Sequence, residues 1–457
     1  MTMTSYERIT AAWNLEEADR VPVAPLVIYL IPYLDGLSFT DMLAEPEKAG
    51  QAAINQQEVI GDGIHPIGTF FDHQFLLPNA GWDQVTLNWK IFDQFPPDGN
   101  IPNAYFDKVI IDDYEDILEN GFAQLIFNRQ IDPNVLRMGV DEWLYRAFEY
   151  PPRFAKSWRR FTAETGKSLL FGARTTIPFE YPIYYRGFPL LIEDLLERPE
   201  QVKAYLEAVV EYETYMGMHK AMIMGAALVP GADAFFFQAG YPGPPYFSPA
   251  VFDEFIYPTM KQGVDEAVKR GFRVHVHLDG DMTLVLDRLS HIADGLPKGM
   301  VMLDFEKTDM KKAKEVLGDK VCIYGNVPAA MLCFGTPEDV DACCKQLIED
   351  CAPGGGFILG TECEVPWNAK PENVRAIISA AVKYGQYGQG AHLEAYDQDQ
   401  LLAQVRQRIR PPSTDEFNHV VARWLFGKQA EKMMQHAPWS FLLSKLMWKK
   451  GEAPWDS

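Results

Sequence analysis

"RVHVHLDGD" (273–281) alternates apolar residues with imidazole over Val274, His275, Val276, His277 and Leu278, then breaks at Asp279-Gly280-Asp281. Period-two alternation reads as a strand, with His275, His277 and Asp279 on one face. Such a strand, ending in imidazole, carboxylate and glycine, suits a parallel α/β protein with its chemistry at the carboxyl ends of the strands.

Seven more short apolar runs bounded by turn residues resemble it: 21–30, 63–71, 169–175, 232–240, 299–306, 321–327 and 357–363. Helical patterns separate most of them. "SPAVFDEFIYPTMKQGVDEAVKRG" (248–271) and "TPEDVDACCKQLIEDCAPGGG" (336–356) each open on a hydroxyl cap followed by proline, and the second ends on glycines. Eight strands alternating with helices predict an α/β fold, a closed (β/α)8 TIM barrel. The connection from the second to the third strand is too long for a plain crossover. The expected organisation is therefore a barrel over 1–388 with an insertion at about 76–165, and a helical C-terminal extension over 389–457.

The composition narrows the partners. Lys and Arg total 42 against 63 Asp and Glu, a net charge of −21. That charge repels phosphate backbones and anionic lipid, so neither nucleic acid nor membrane is an expected partner. The N-terminal stretch has no basic-then-apolar signal pattern, and the longest apolar run (221–237) carries Pro230 and Asp233. A cytoplasmic protein is expected. Six scattered cysteines fit a reducing compartment better than a disulfide framework.

The strand ends offer Tyr29, Asp72, His73, Arg174, Gln238, Tyr241, His277, Asp279, Asp304, Glu306, Asn326, Glu362, Cys363 and Glu364. His277, Asp279 and Cys363 stand out, because imidazole nitrogen, carboxylate oxygen and thiolate sulfur are the common zinc donors. Three protein ligands leave the open position that a catalytic zinc needs. The plainer reading is a hydrogen-bonded His–Asp pair and a packed cysteine. His275, one layer deeper, reads as a core histidine. Arg174 is a candidate anchor for an anionic group, or a neutraliser of nearby acids. Glu180 and Tyr184, in "PFEYPIYYRGF" (178–188), are candidate proton partners. Trp82, Trp89, Phe92, Phe95 and Tyr105 of the insertion would wall a flat substrate, or form the seam where the insertion docks.

The chain resembles the uroporphyrinogen decarboxylase superfamily. The resemblance is carried by "SYERITAAWNLEEADRVPV" (5–23), "GADAFFFQAG" (231–240), "FSPAVFDEFIYP" (247–258), "HVHLDGD" (275–281), "KEVLGDKVCIYGNVPAAMLCFGTPEDV" (314–340) and "GGGFILGTECEVPWNAKPENVRAII" (354–378). It implies the same barrel. The superfamily's decarboxylases carry an arginine-rich element near the first strand. "VIYLIPYLDGLSF" (27–39) has no arginine, which argues against a porphyrinogen substrate. The resemblance extends to the corrinoid-dependent methyltransferases, whose zinc motif is His-x-Cys with a later Cys. His277 and Cys363 match it, and Asp279 replaces the first cysteine.

The resemblance thus implies Zn2+ on these three residues and a corrinoid (cobalamin) carried by a separate corrinoid protein. It implies a small-molecule methyl donor, and it leaves a homodimer open. Exchange of a thiolate for a harder oxygen points to O-demethylation of a methoxylated, aromatic compound. The alternatives are a metal-free decarboxylase or lyase acting on a carboxylated molecule, methyl transfer from the corrinoid to a thiol or folate, and a binding subunit without catalysis.

Overall fold

The computed structural model describes residues 3–38, 42, 45–66, 114–120, 140–210, 229–244, 246–388 and 398–409. Its frame is parallel. A six-stranded sheet runs in the order β3 (Ala173–Thr176), β4 (Ala234–Ala239), β5 (Arg273–Leu278), β6 (Val301–Phe305), β7 (Cys322–Val327) and β8 (Phe357–Thr361), with β1 (Gly63–Ile64) paired to β2 (Ser168–Leu169).

Backbone hydrogen bonds join these two pieces into a closed ring. Leu359 N donates to Pro22 O and Ala24 N to Leu359 O, a parallel bridge centred on Val23. Asp62 N donates to Val23 O and Ser168 N to Asp62 O, which carries the ring through the first and second positions. Leu170 N then donates to Ile64 O, and Gly172 N to Ala234 O. The third position is one strand interrupted at Gly172, where an added Cβ would collide with the backbone of Ala232. The fold is therefore the (β/α)8 barrel that the eight runs predict.

The first run differs from its expectation. Residues 21–30 form an extended segment with a single bridge, and a short helix, Leu30–Leu34, follows directly. Pro22 and Pro25 remove two backbone donors from this stretch, so a continuous ladder cannot form there.

The apolar interior has two parts. One lies between sheet and helices. The other fills the lumen with Leu170, Phe171, Phe236, Met302, Tyr324 and Ile358, and reaches Ile9, Ala12 and Trp13 of the helix Ser5–Trp13. That helix closes the amino end of the barrel. Arg8 and Arg20 both pair with the buried Asp62, and Thr4 caps the helix through a reciprocal box with Glu7. The carboxyl end is left for chemistry. Outside the ring, the helix Val140–Thr165 lies on the helix Pro46–Asn55, joined by Ser157 Oγ donating to Pro46 O at 2.6 Å. No helix among the described residues is long and apolar enough to cross a membrane.

Candidate metal centre at the barrel mouth

The register of β5 and β6 pairs His277 with Asp304. Asp304 is completely buried, and its Oδ2 accepts from His277 Nδ1 at 2.7 Å and from His275 Nε2 at 3.1 Å. The first bond commits Nδ1 of His277 and directs Nε2 towards the mouth. There Nε2 meets Asp279 Oδ1 at 2.9 Å and Cys363 Sγ at 3.9 Å. The ligand atoms of His277, Asp279 and Cys363 all lie within 4.8 Å of one another, and no other such group occurs among the described residues. Cys363 reaches the cluster because β8 continues past Thr361 into Glu362-Cys363-Glu364, and Thr361 Oγ1 anchors that turn by donating to Cys363 O.

Charge explains the polarity of the cluster. Burial opposes protonation of His277, but Asp304 and Asp279 outweigh it and hold the imidazole well above its usual value. Burial favours the protonated form of Asp304, and the facing imidazoles more than cancel that effect, holding its carboxyl below the usual value. Burial and the neighbouring Glu364 push the Cys363 thiol well up, and its Sγ donates to Glu364 Oε2. Protons therefore sit where a divalent ion would.

Zinc fits these residues. Asp279 Oδ1 is buried and, despite its closeness to Nε2, lies outside hydrogen-bond geometry. A proton held on Nε2 by the facing acids is what a shared cation would displace. The 3.9 Å from Nε2 to Sγ is within the span of zinc bonds of about 2.1 and 2.3 Å. Nitrogen, carboxylate and sulfur together exclude magnesium or calcium as the preferred ion.

Glu180 stands beside this centre. It begins the helix Glu180–Tyr185 after β3 and is almost fully buried. Its Oε1 accepts from the backbone of Gly240 and from Tyr241 N at 2.9 Å, and its Oε2 is hydrogen-bonded to Thr176 Oγ1. Burial pushes its pKa up to about 7, helped by Asp279 and opposed by these hydrogen bonds. A Cβ placed on Gly240 would lie 3.3 Å from Glu180 Oε1 and 3.5 Å from Asp279 Oδ2, so both carboxyl groups border one spot.

Arg174 lies one layer below, in register with Phe236 and with its guanidinium over that ring at 5.6 Å. Tyr184 shares the helix of Glu180, but its side chain is outside those described. Asp72, His73, Trp82, Trp89, Phe92, Phe95 and Tyr105 also lie outside the described residues.

Sequence reasoning put Asp304 at the rim without connecting it to His277. The available signal was the alignment of two adjacent strands, which no single-chain spacing supplies. It also took His275 as a core histidine, and the structure places that ring on the same carboxylate as His277.

Residues 146–384, more than half of the chain, match the family model of uroporphyrinogen decarboxylase (URO-D). The chain belongs to the URO-D family. Among solved structures, a methyltransferase from Methanosarcina mazei superposes with a TM-score of 0.56 at 16% sequence identity, over 84% of this chain and 99% of that one. That likeness shows a common fold. A B12-independent methionine synthase from a Shewanella species overlaps over 50% of this chain and 65% of its own, at 10% identity and a TM-score of 0.33. No curated protein matches the chain. The barrel fold gives the His277, Asp279 and Cys363 cluster its context: enzymes of this fold carry their chemistry at the carboxyl ends of the strands.

Proposed function

We propose that the protein is a zinc-dependent methyltransferase that demethylates a methoxylated aromatic compound and passes the methyl group to a corrinoid on a partner protein. The observation that carries the reading is the convergence of His277 Nε2, Asp279 Oδ1 and Cys363 Sγ at the barrel mouth. URO-D membership and the methyltransferase identity of the Methanosarcina mazei neighbour support it.

His277, Asp279 and Cys363 would hold the ion. Bound there, zinc supplies a Lewis acid that stabilises the electron pair left on the ether oxygen as the methyl carbon departs. The chain's own groups do the rest. Asp304 orients His277. Glu180, neutral below about pH 7, carries a proton next to Asp279 and supplies it to the departing oxygen. Arg174 sits beneath this space as a fixed positive charge, which suits a substrate that gains negative character. Tyr184 shares the Glu180 helix and is proposed as its proton partner. Two aromatic pairs at this end, Tyr33 of the helix Leu30–Leu34 with Trp367 at 5.4 Å and Tyr241 with Tyr246 at 5.1 Å, offer flat apolar surfaces to a ring.

The test is transfer of a labelled methyl group from a panel of methyl ethers to added cob(I)alamin by the zinc-loaded protein. Transfer with at least one aromatic methyl ether, abolished in Asp279→Ala, is expected. Turnover without stoichiometric metal, or failure of the whole panel with zinc bound, would overturn the assignment.

A further inference from the structure

We infer that His275, buried below the mouth, is a positioning residue for the metal centre, acting through Asp304. The inference rests on the zinc reading above and adds a residue to it.

Three observations carry it. First, His275 Nε2 and His277 Nδ1 meet the same oxygen, Asp304 Oδ2, at 3.1 and 2.7 Å. One carboxylate oxygen that accepts from two imidazoles cannot swing towards one without loosening the other. Second, the His275 ring is clamped. Phe236 packs edge-on at 4.8 Å, His65 at 5.3 Å and Tyr324 at 5.7 Å between centroids, and Phe236 also stacks on His277 at 5.8 Å. His275 therefore has a fixed orientation to impose on Asp304. Third, His275 is completely enclosed, and its Nδ1 has no hydrogen-bond partner. Among the described residues its one hydrogen bond is that to Asp304.

A core histidine kept only for packing would be better replaced by an aromatic residue, since an unsatisfied buried nitrogen costs stability. A second imidazole on the carboxylate of a carboxylate–histidine–metal triad has a use. It divides the negative charge of Asp304 between two donors, so His277 keeps its Nδ1 proton and presents Nε2 in one direction. His65 Nε2 and Asp304 Oδ1 are likewise buried without partners. They do not make a second ion site with His275, since the only close group of ligand atoms among the described residues is the one at the mouth.

The experiment compares the full-length wild type with His275→Leu and His275→Gln. The Gln amide nitrogen can reach the place of His275 Nε2 and donate to Asp304, and Leu cannot. Zinc affinity is measured by competition with a chromogenic chelator, and the ligand field by the visible spectrum of the cobalt(II)-substituted protein. Thermal melting of the metal-free forms checks folding. The expected result is about tenfold weaker zinc binding and an altered cobalt spectrum in His275→Leu, both largely restored in His275→Gln. If His275→Leu folds and matches the wild type in affinity and spectrum, the inference is wrong. If His275→Leu does not fold, a His275→Gln variant that folds but binds zinc tenfold more weakly than wild type overturns it equally. Failure of the wild type to bind zinc would overturn the metal reading itself and is seen before any variant is made.

Discussion

Asp304 Oδ2 accepts the Nδ1 hydrogen of His277 at 2.7 Å across the β5–β6 ladder, and this bond aims the other ring nitrogen at Asp279 and Cys363. The carboxylate is fully enclosed, so bulk solvent does not compete for the imidazole hydrogens. Asp304→Ala is expected to weaken zinc binding about 10- to 100-fold while leaving all three ligands in place. Loss of the acceptor also strands two buried imidazoles, at a cost of about 1–3 kcal/mol. Chelator competition and thermal melting read the two effects separately.

Asp279 is the residue at which the chain departs from the methyltransferase motif. We expect about one zinc per wild-type chain by elemental analysis, and loss of most of it in Asp279→Ala. Asp279→Cys should keep the metal, since sulfur is a competent donor, but methyl transfer from an ether should fall. A second thiolate has the same formal charge as the carboxylate but donates more electron density, which weakens the ion as an acid toward oxygen. Retained activity in Asp279→Cys would show that donor hardness does not select the substrate.

Glu180 gives a pH dependence of definite sign. Its folded value near 7 lies above the ordinary 4.5. Between these values the folded protein holds a proton that the unfolded chain has lost. Stability contributed by this site is therefore greatest below about pH 4.5 and declines as pH rises to 7, by about 3 kcal/mol in total. Glu180→Gln mimics the neutral acid, since the amide can donate to Thr176 Oγ1 and still accept from Gly240 and Tyr241. The variant should flatten this decline in a series of denaturant melts. The same decline in Glu180→Gln would assign it to another group.

Gly360 tests the lumen. Its missing side chain is what lets the Tyr324 ring lie against β8 and donate its hydroxyl to Ala24 O. Gly360→Ala forces that ring towards His275, with a destabilisation of about 1–3 kcal/mol and weaker zinc binding. A melt indistinguishable from wild type would mean that Tyr324 relocates freely.

Strand periodicity, hydroxyl-proline caps and glycine stops determined the elements and hence the parallel barrel, because they are local properties of a few neighbouring residues. The alternation in "RVHVHLDGD" likewise placed His277 and Asp279 on one face, and their donor chemistry nominated Cys363. Which carboxylate orients His277, which ring steadies that carboxylate and how close Cys363 Sγ comes were decided only in three dimensions. Those facts depend on the register between strands and on closure of the ring through Pro22, Val23 and Ala24. Register is a relation between segments far apart in the chain, and a one-residue slip would send Asp304 out of the lumen and leave His277 without its partner.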